Sequence, residues 1–194
     1  VYCEILPYNR FTVPDESVKG VILSGSPFSV RDKNAPAPDL SGFKGKLPLL
    51  GICYGAQYLV QQYGGEVQPS AAREYGRANL VRINNSDPLF RNLNAGTQVW
   101  MSHGDTIITI PGNFSVTGST TDVDAAAYKI QGEDTWGIQF HPEVYHTTDG
   151  MELLRNFVVS ICNCSGNWTP VSFVESSVEE LRNRIGNDKV ILGL

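Results

Sequence analysis

The 194-residue chain sets 15 lysines and arginines against 20 aspartates and glutamates, a formal charge of −5, with 41% of its residues hydrophobic. This balance lacks the basic footprint of a nucleic-acid or anionic-membrane binder. No apolar run reaches the length of a membrane span, and no stretch near Val1 reads as a signal peptide. The hydrophobic content suffices for the core of one domain. Four cysteines (Cys3, Cys53, Cys162 and Cys164) are too few for a disulfide scaffold, so a reduced, cytoplasmic setting is expected.

Taken in order, residues 1–6 form a short apolar run closed by Pro7 and predict a strand. Residues 20–27 predict a second strand entering a turn; its unbroken apolar character suits a strand covered on both faces, as in a parallel sheet. Residues 34–40 read as loop, 47–52 as a third strand, 54–63 as a helix stopped by Gly64-Gly65, and 65–68 as extended chain. The middle then changes character. Residues 78–84 alternate like a half-exposed strand, and Asp87-Pro88-Leu89-Phe90 reads as a turn into a short helical piece. Strands are expected at 98–105, 106–110, 115–119, 125–130 and 135–140. Apolar spacing predicts an amphipathic helix over 150–162 and another over 177–185, and residues 189–192 begin a further strand. Parallel-type strands alternating with helices, with antiparallel-looking strands inserted midway, point to an α/β fold with an open three-layer, mostly parallel sheet.

The chemistry centres on Gly51-Ile52-Cys53-Tyr54-Gly55. An apolar strand ends at a cysteine flanked by glycines two residues on either side, and a helix follows directly. This is the strand–turn–helix elbow that pushes a nucleophile out of a sheet, with Cys in place of Ser. The helix N-terminus behind it favours negative charge on the sulfur. A cysteine nucleophile needs a base, and the base needs an orienting group. His141 ends a strong strand with Glu143 two residues on, and in extended chain such side chains share a face. His141 is therefore expected to act as general base and then general acid, with Glu143 holding its tautomer. His103 and His146 are expected to shape loops rather than do chemistry. Acyl transfer also needs donors for the developing oxyanion; the backbone N–H of Tyr54 and one from Gly25-Ser26-Pro27 are the candidates. Cys162-Asn163-Cys164 suits no common zinc spacing, and no metal is expected.

Gly51-Ile52-Cys53-Tyr54-Gly55-Ala56-Gln57, together with Gln139-Phe140-His141-Pro142-Glu143, resembles the class I (triad-type) glutamine amidotransferases. Further segments are similar, more narrowly, to the amidotransferase part of the GMP synthase family. These are Arg73-Glu74-Tyr75-Gly76, residues 99–105, Val144-Tyr145-His146-Thr147 and the tail from Leu181. The resemblance implies the flavodoxin-like fold of that class and a Cys53–His141–Glu143 triad that hydrolyses glutamine. It also implies that Gln57 helps hold that substrate, and that the backbone of Ser102, His103 and Gly104 binds its amino-acid end. Ammonia would then pass to an adenylated XMP in an ATP-pyrophosphatase domain of the same polypeptide, where ATP and magnesium bind; this domain itself would need no cofactor. A homodimer formed through that second part is implied, with no nucleic-acid or membrane partner. Residues 1–166 would be the amidotransferase domain, and 167–194 a linker helix and the first strand of the second domain.

Two departures from the family pattern stand out. Ser26 replaces a glycine of Ser-Gly-Gly-Pro. A backbone donor survives that change unless the position needs a glycine-only conformation, so either the local φ/ψ admits serine or the loop rearranges when the second domain engages. The family also begins with a strand and helix expected ahead of Val1, internal to the sheet. Two other readings are a free-standing γ-glutamyl hydrolase of the same fold and a non-catalytic regulatory module. The tail argues against the first, and the intact Cys53, His141 and Glu143 set argues against the second.

Overall fold

The apolar runs around Ile22 and Leu50 form neighbouring parallel strands in a computed structural model that describes residues 1–10 and 16–191, the side chains of 71–74 excepted. These are β1 (Val21–Leu23) and β2 (Leu49–Ile52), and β8 (Thr135–Ile138) lies parallel to β2 on its other side. The sheet continues antiparallel through β7 (Ala127–Ile130), β6 (Phe114–Ser119) and the two-residue β4 (Arg82–Ile83), in the order β1-β2-β8-β7-β6-β4. The expected parallel character is thus confined to the three strands that carry the elbow and its neighbours.

Both faces of this sheet are covered, which is why its central strands are apolar without alternation. Leu49, Tyr128 and Ile130 pack beneath α1 (Tyr54–Gln62), with Ala56, Leu59 and Val60 of that helix in the same cluster. Leu50, Ile52, Trp136 and Ile138 face the other way, against Leu153 and Phe157. Leu49 and Leu50 are both fully buried, and burial of each such side chain contributes about 1.5–3 kcal/mol. On this second face Asp87 is buried, and its carboxylate accepts from Trp136 Nε1 at 3.0 and 3.2 Å and from the Leu89 N–H at 2.9 Å. These donors replace the water that a buried carboxylate would otherwise keep. They tie the short 3-10 turn Pro88–Phe90 to β8, the strand that leads to His141.

The sequence segment at 65–68 proves continuous with the start of 78–84, and the rest of 78–84 holds a separate strand. The first is the start of β3 (Glu66–Asn79), which runs on to Asn79 and pairs antiparallel with β5 (Gln98–Thr109) in a separate two-stranded sheet; Arg82–Ile83 is β4 of the main sheet. Pro69 and a register shift between Pro69 and Glu74 interrupt the ladder, which hid the continuity of β3. The amphipathic segment after Asp149 is α2 (Gly150–Arg155) followed by a π-helical turn, Asn156–Ile161. Buried Asn156 donates from Nδ2 to the carbonyls of Leu89 (3.1 Å) and Arg91 (2.7 Å), fixing that turn against the 3-10 piece. The last helix, α3 (Pro170–Ile185), starts seven residues before the apolar spacing suggests, at a Thr169–Ser172 capping box with Pro170 behind it.

Residues 1–6 are not a strand. Among the described residues no strand lies beside them to complete a ladder, Ile5 is 94% exposed, and Tyr2 instead stacks on Phe173 of α3 at 6.4 Å. Residues 189–191 likewise pair with nothing among the described residues, and Leu192 lies outside them.

The junction of β2 and α1 is closed by glycines. A Cβ on Gly55 would stand 2.3 Å from the Leu23 carbonyl oxygen, and one on Gly51 would stand 2.7 Å from the Gly55 carbonyl carbon. Backbone cannot yield as a side-chain tip can. Gly55→Ala is therefore expected to destabilise the fold at the upper end of the roughly 1–3 kcal/mol seen for overpacking. Urea denaturation that finds the variant as stable as the parent would remove this constraint.

Candidate active site

Cys53 sits between β2 and α1 with φ 51° and ψ −106°. The left-handed region is costly for a residue with a Cβ, on the order of 1–3 kcal/mol. The surroundings hold it there: its N–H donates to the Ile138 carbonyl at 2.8 Å, and its own carbonyl accepts from the Gln57 N–H at 3.1 Å. The helix below is fastened in turn, since the hydroxyls of Tyr54, Tyr58 and Tyr128 donate to Pro36 O (2.6 Å), Pro38 O (2.8 Å) and Ala56 O (2.6 Å). The Cys53 Sγ lies 3.8 Å from the Ser102 carbonyl oxygen.

β8 pairs with β2 through Ile52 and Ile138, so the chain past Ile138 arrives beside the elbow. The His141 N–H donates to the Trp100 carbonyl at 2.9 Å, and the Thr147 hydroxyl donates to the His141 carbonyl at 2.5 Å. The imidazole Nδ1 meets Glu143 Oε1 at 2.6 Å, as the i, i+2 spacing predicts. The hydrogen bond with Cys53 first, and that with Glu143 second, raise the His141 pKa to about 10 against the opposing effect of burial. For Glu143 burial pulls upward, but the His141 hydrogen bond, a backbone N–H and the imidazolium charge outweigh it and leave the carboxyl below its usual value.

The remaining predicted residues gather around this pair. A Cβ on Gly25 would lie 3.3 Å from His141 Cε1 and 3.7 Å from Cys53 Cβ, so the turn after β1 passes directly against both residues. Ser26 follows; the non-glycine residues with positive φ among those described are Cys53, Asn92 and Asn163, so Ser26 occupies ordinary backbone and the substitution for glycine is admitted without strain. Ser102, His103 and Gly104 lie on β5, where Ser102 and Gly104 are exposed and His103 is buried. Burial, more than any other influence, lowers the His103 pKa, which keeps that ring neutral beside the charged His141. Gln57 is buried and its Nε2 donates to the Asp105 carbonyl at 2.8 Å, so it holds the end of the Ser102–His103–Gly104 segment. His146 stands between the rings of Trp100 (4.3 Å) and Tyr145 (3.8 Å), and shapes that loop. Cys162 is buried against Gly20, and burial pushes its thiol up to about 12. A hollow of about 300 Å³ bordered by Lys46, Pro48, Lys129 and Glu133 lies at the opposite end of β2 and β8 from Cys53 and includes no elbow residue. Sequence reasoning missed the pairing of Asp105 with Ser29, which meet across the site. Asp105 falls within the family-like stretch 99–105, but nothing local marks its partner.

A strained cysteine elbow thus lies beside a histidine–glutamate pair at the ends of parallel strands. The chain belongs to the class-I glutamine amidotransferase family, whose pattern it matches over residues 1–161. It is 61% identical to a glutamine-hydrolyzing GMP synthase of Cytophaga hutchinsonii and 58% identical to that of Bacteroides fragilis, in each case over 100% of this chain. It spans 38% of the length of these relatives, matching their glutamine amidotransferase portion. Among solved structures, a GMP synthase component from Thermoplasma acidophilum superposes with a TM-score of 0.62 at 27% identity, over 84% of this chain and 78% of the other. No helix among the described residues is long and apolar enough to cross a membrane.

The raised His141 pKa has a definite sign. A histidine held above its free value of 6.5 lends stability that is complete below that pH and vanishes as pH rises through about 10. Glu143→Gln removes a charge that favours the imidazolium. The titration midpoint of the His141 ring, followed by NMR, should therefore move down by a unit or more. An unmoved midpoint would show that Glu143 does not support the charged ring.

Proposed function

We propose that Cys53, His141 and Glu143 hydrolyse glutamine and that the ammonia released serves the amination of XMP to GMP. The observation that carries this reading is the 2.6 Å His141–Glu143 pair set beside a cysteine held in a strained elbow. The Cys53 thiolate attacks the side-chain amide carbon, and the oxyanion is received by the backbone N–H groups of Tyr54 and Ser26. His141 gives its proton to the departing nitrogen, which leaves as ammonia with a γ-glutamyl thioester on Cys53. The now neutral ring then takes a proton from water, whose attack on the thioester yields glutamate and returns the starting pair. Ser102, His103 and Gly104 receive the amino-acid end of the substrate through their backbone, with Gln57 fixing that segment from behind. The hydrolysis itself calls for no cofactor.

Ammonia would be consumed by an ATP-pyrophosphatase domain elsewhere in the same polypeptide, working with ATP and magnesium. Residues 1–166 would form the glutaminase domain, and residues 167–194 would lead toward the second domain. The exposed apolar side chains of α3 support this, among them Phe173, Val174 and Leu181, because the helix buries none of its residues here. The setting would be cytoplasmic, and the full polypeptide a homodimer joined through its C-terminal part.

Cys53→Ala in the full-length enzyme should lower glutamine-dependent GMP formation on the order of 10⁴-fold or more, while ammonia-dependent formation survives. An electrophilic glutamine analogue should add its mass at Cys53 alone. Loss of both activities together, or labelling at Cys3 or Cys164 instead, would sink the proposal.

A further inference from the structure

Ser29 and Asp105 are 76 residues apart in sequence, yet the Ser29 hydroxyl donates to Asp105 Oδ2 in a short hydrogen bond. The same hydroxyl oxygen accepts from the Arg31 N–H at 3.1 Å. The Ser29 N–H donates to Asp32 Oδ2 at 2.9 Å, and the Asp32 N–H returns to the Ser29 carbonyl at 3.0 Å, so residues 29–32 form a closed turn. The Arg31 guanidinium stands 3.5 Å from Asp105 Oδ1, with the Asp105 side chain only 11% exposed and that of Arg31 44% exposed. Asp105 is held from the other side as well, since its carbonyl accepts from Gln57 Nε2 and Gln57 lies one turn behind Cys53.

From these contacts we infer that Ser29 and Asp105 are positioning residues that set the height of the Gly25–Ser26 turn over the Cys53 sulfur. The turn leaves β1 at Leu23 and passes Cys53 and His141 at Gly25, and the next buried side chain along it is the apolar Val30. An apolar anchor is non-directional. It fixes how deep the turn sits but leaves its rotation free, whereas a charge-assisted hydrogen bond fixes both. Asp105 thus joins the helix behind the nucleophile to the turn in front of it. The Arg31 contact is half exposed and adds little by itself. Neither Ser29 nor Asp105 touches the reacting atoms; they act through the backbone donor at Ser26.

This inference rests on the reading of Cys53 as the nucleophile of an amide hydrolysis, and its test separates the two. In the full-length enzyme, Ser29→Ala and Asp105→Ala should each lower kcat for glutamine by about ten- to a hundredfold, the range for a donor misplaced by around an ångström, with KM little changed. Alkylation of Cys53 by iodoacetamide needs no oxyanion donor and should proceed within about twofold of the parent rate. The double variant should be no slower than the worse single variant, because one link is broken either way. Ser29→Thr, which keeps the hydroxyl, should restore kcat. A Ser29→Ala enzyme with parental kcat overturns the inference, as do multiplicative losses in the double variant, or alkylation falling in step with kcat. A parent enzyme that neither hydrolyses glutamine nor alkylates at Cys53 would instead remove the proposed function beneath it.

Discussion

Backbone-on-backbone contact at the end of β2 is the constraint on which the site depends. Gly55 lies so close to Leu23, and Gly51 to the first turn of α1, that neither position has room for a methyl group. Drawing strand and helix this near forces the chain to reverse within two residues, and the reversal puts Cys53 at φ 51°. The strain is local, but what maintains it is distributed: three tyrosine hydroxyls clasp the helix and its approach, and β8 accepts the Cys53 N–H. Cys53, itself buried, keeps this conformation because everything around it is packed too tightly for it to do otherwise.

Around that point the molecule divides its labour between two sheets. The main sheet supplies Cys53, His141 and the turn after β1, all from neighbouring strand ends. The two-stranded ribbon of β3 and β5 supplies Ser102, His103 and Gly104. The ribbon meets the main sheet through the Met101–Phe140 bridge, the Trp100 carbonyl under His141 and the Gln57–Asp105 bond. Burial and charge separate the histidines accordingly: His103 inside the ribbon is kept neutral by desolvation, and His141 at the junction is held protonated by its partners.

How much of this could be read from the chain follows from the range of each contact. The elbow was legible because its requirements are local: two glycines, an apolar run before and a helix after. The His141–Glu143 pair was legible because i, i+2 in extended chain is a fixed geometry. Residues 1–6 misled because their apolar pattern states what a strand would need but not whether a neighbour is present to pair with. The unity of β3 was hidden by Pro69 and a register shift, and the π-helical turn at 156–161 follows from Asn156 reaching two carbonyls some 65 residues away. The meeting of Ser29 with Asp105 had no local trace at all. Ser26 went the other way: the sequence left two explanations, and its ordinary backbone favours the first, a conformation that serine can adopt.

β2 and β8 lie side by side in matched register, Ile52 opposite Ile138. Cys53 and the stretch that leads to His141 thus leave strands a single inter-strand step apart, and the twist accumulated across the remaining strands does not enter the spacing of those two strand ends. The antiparallel wing of β7, β6 and β4 lies outside that step, on the far side of β8 from β2. The two margins of the sheet therefore differ: the β4 edge stands apart from the site, whereas the β1 edge delivers the Gly25 turn directly to it.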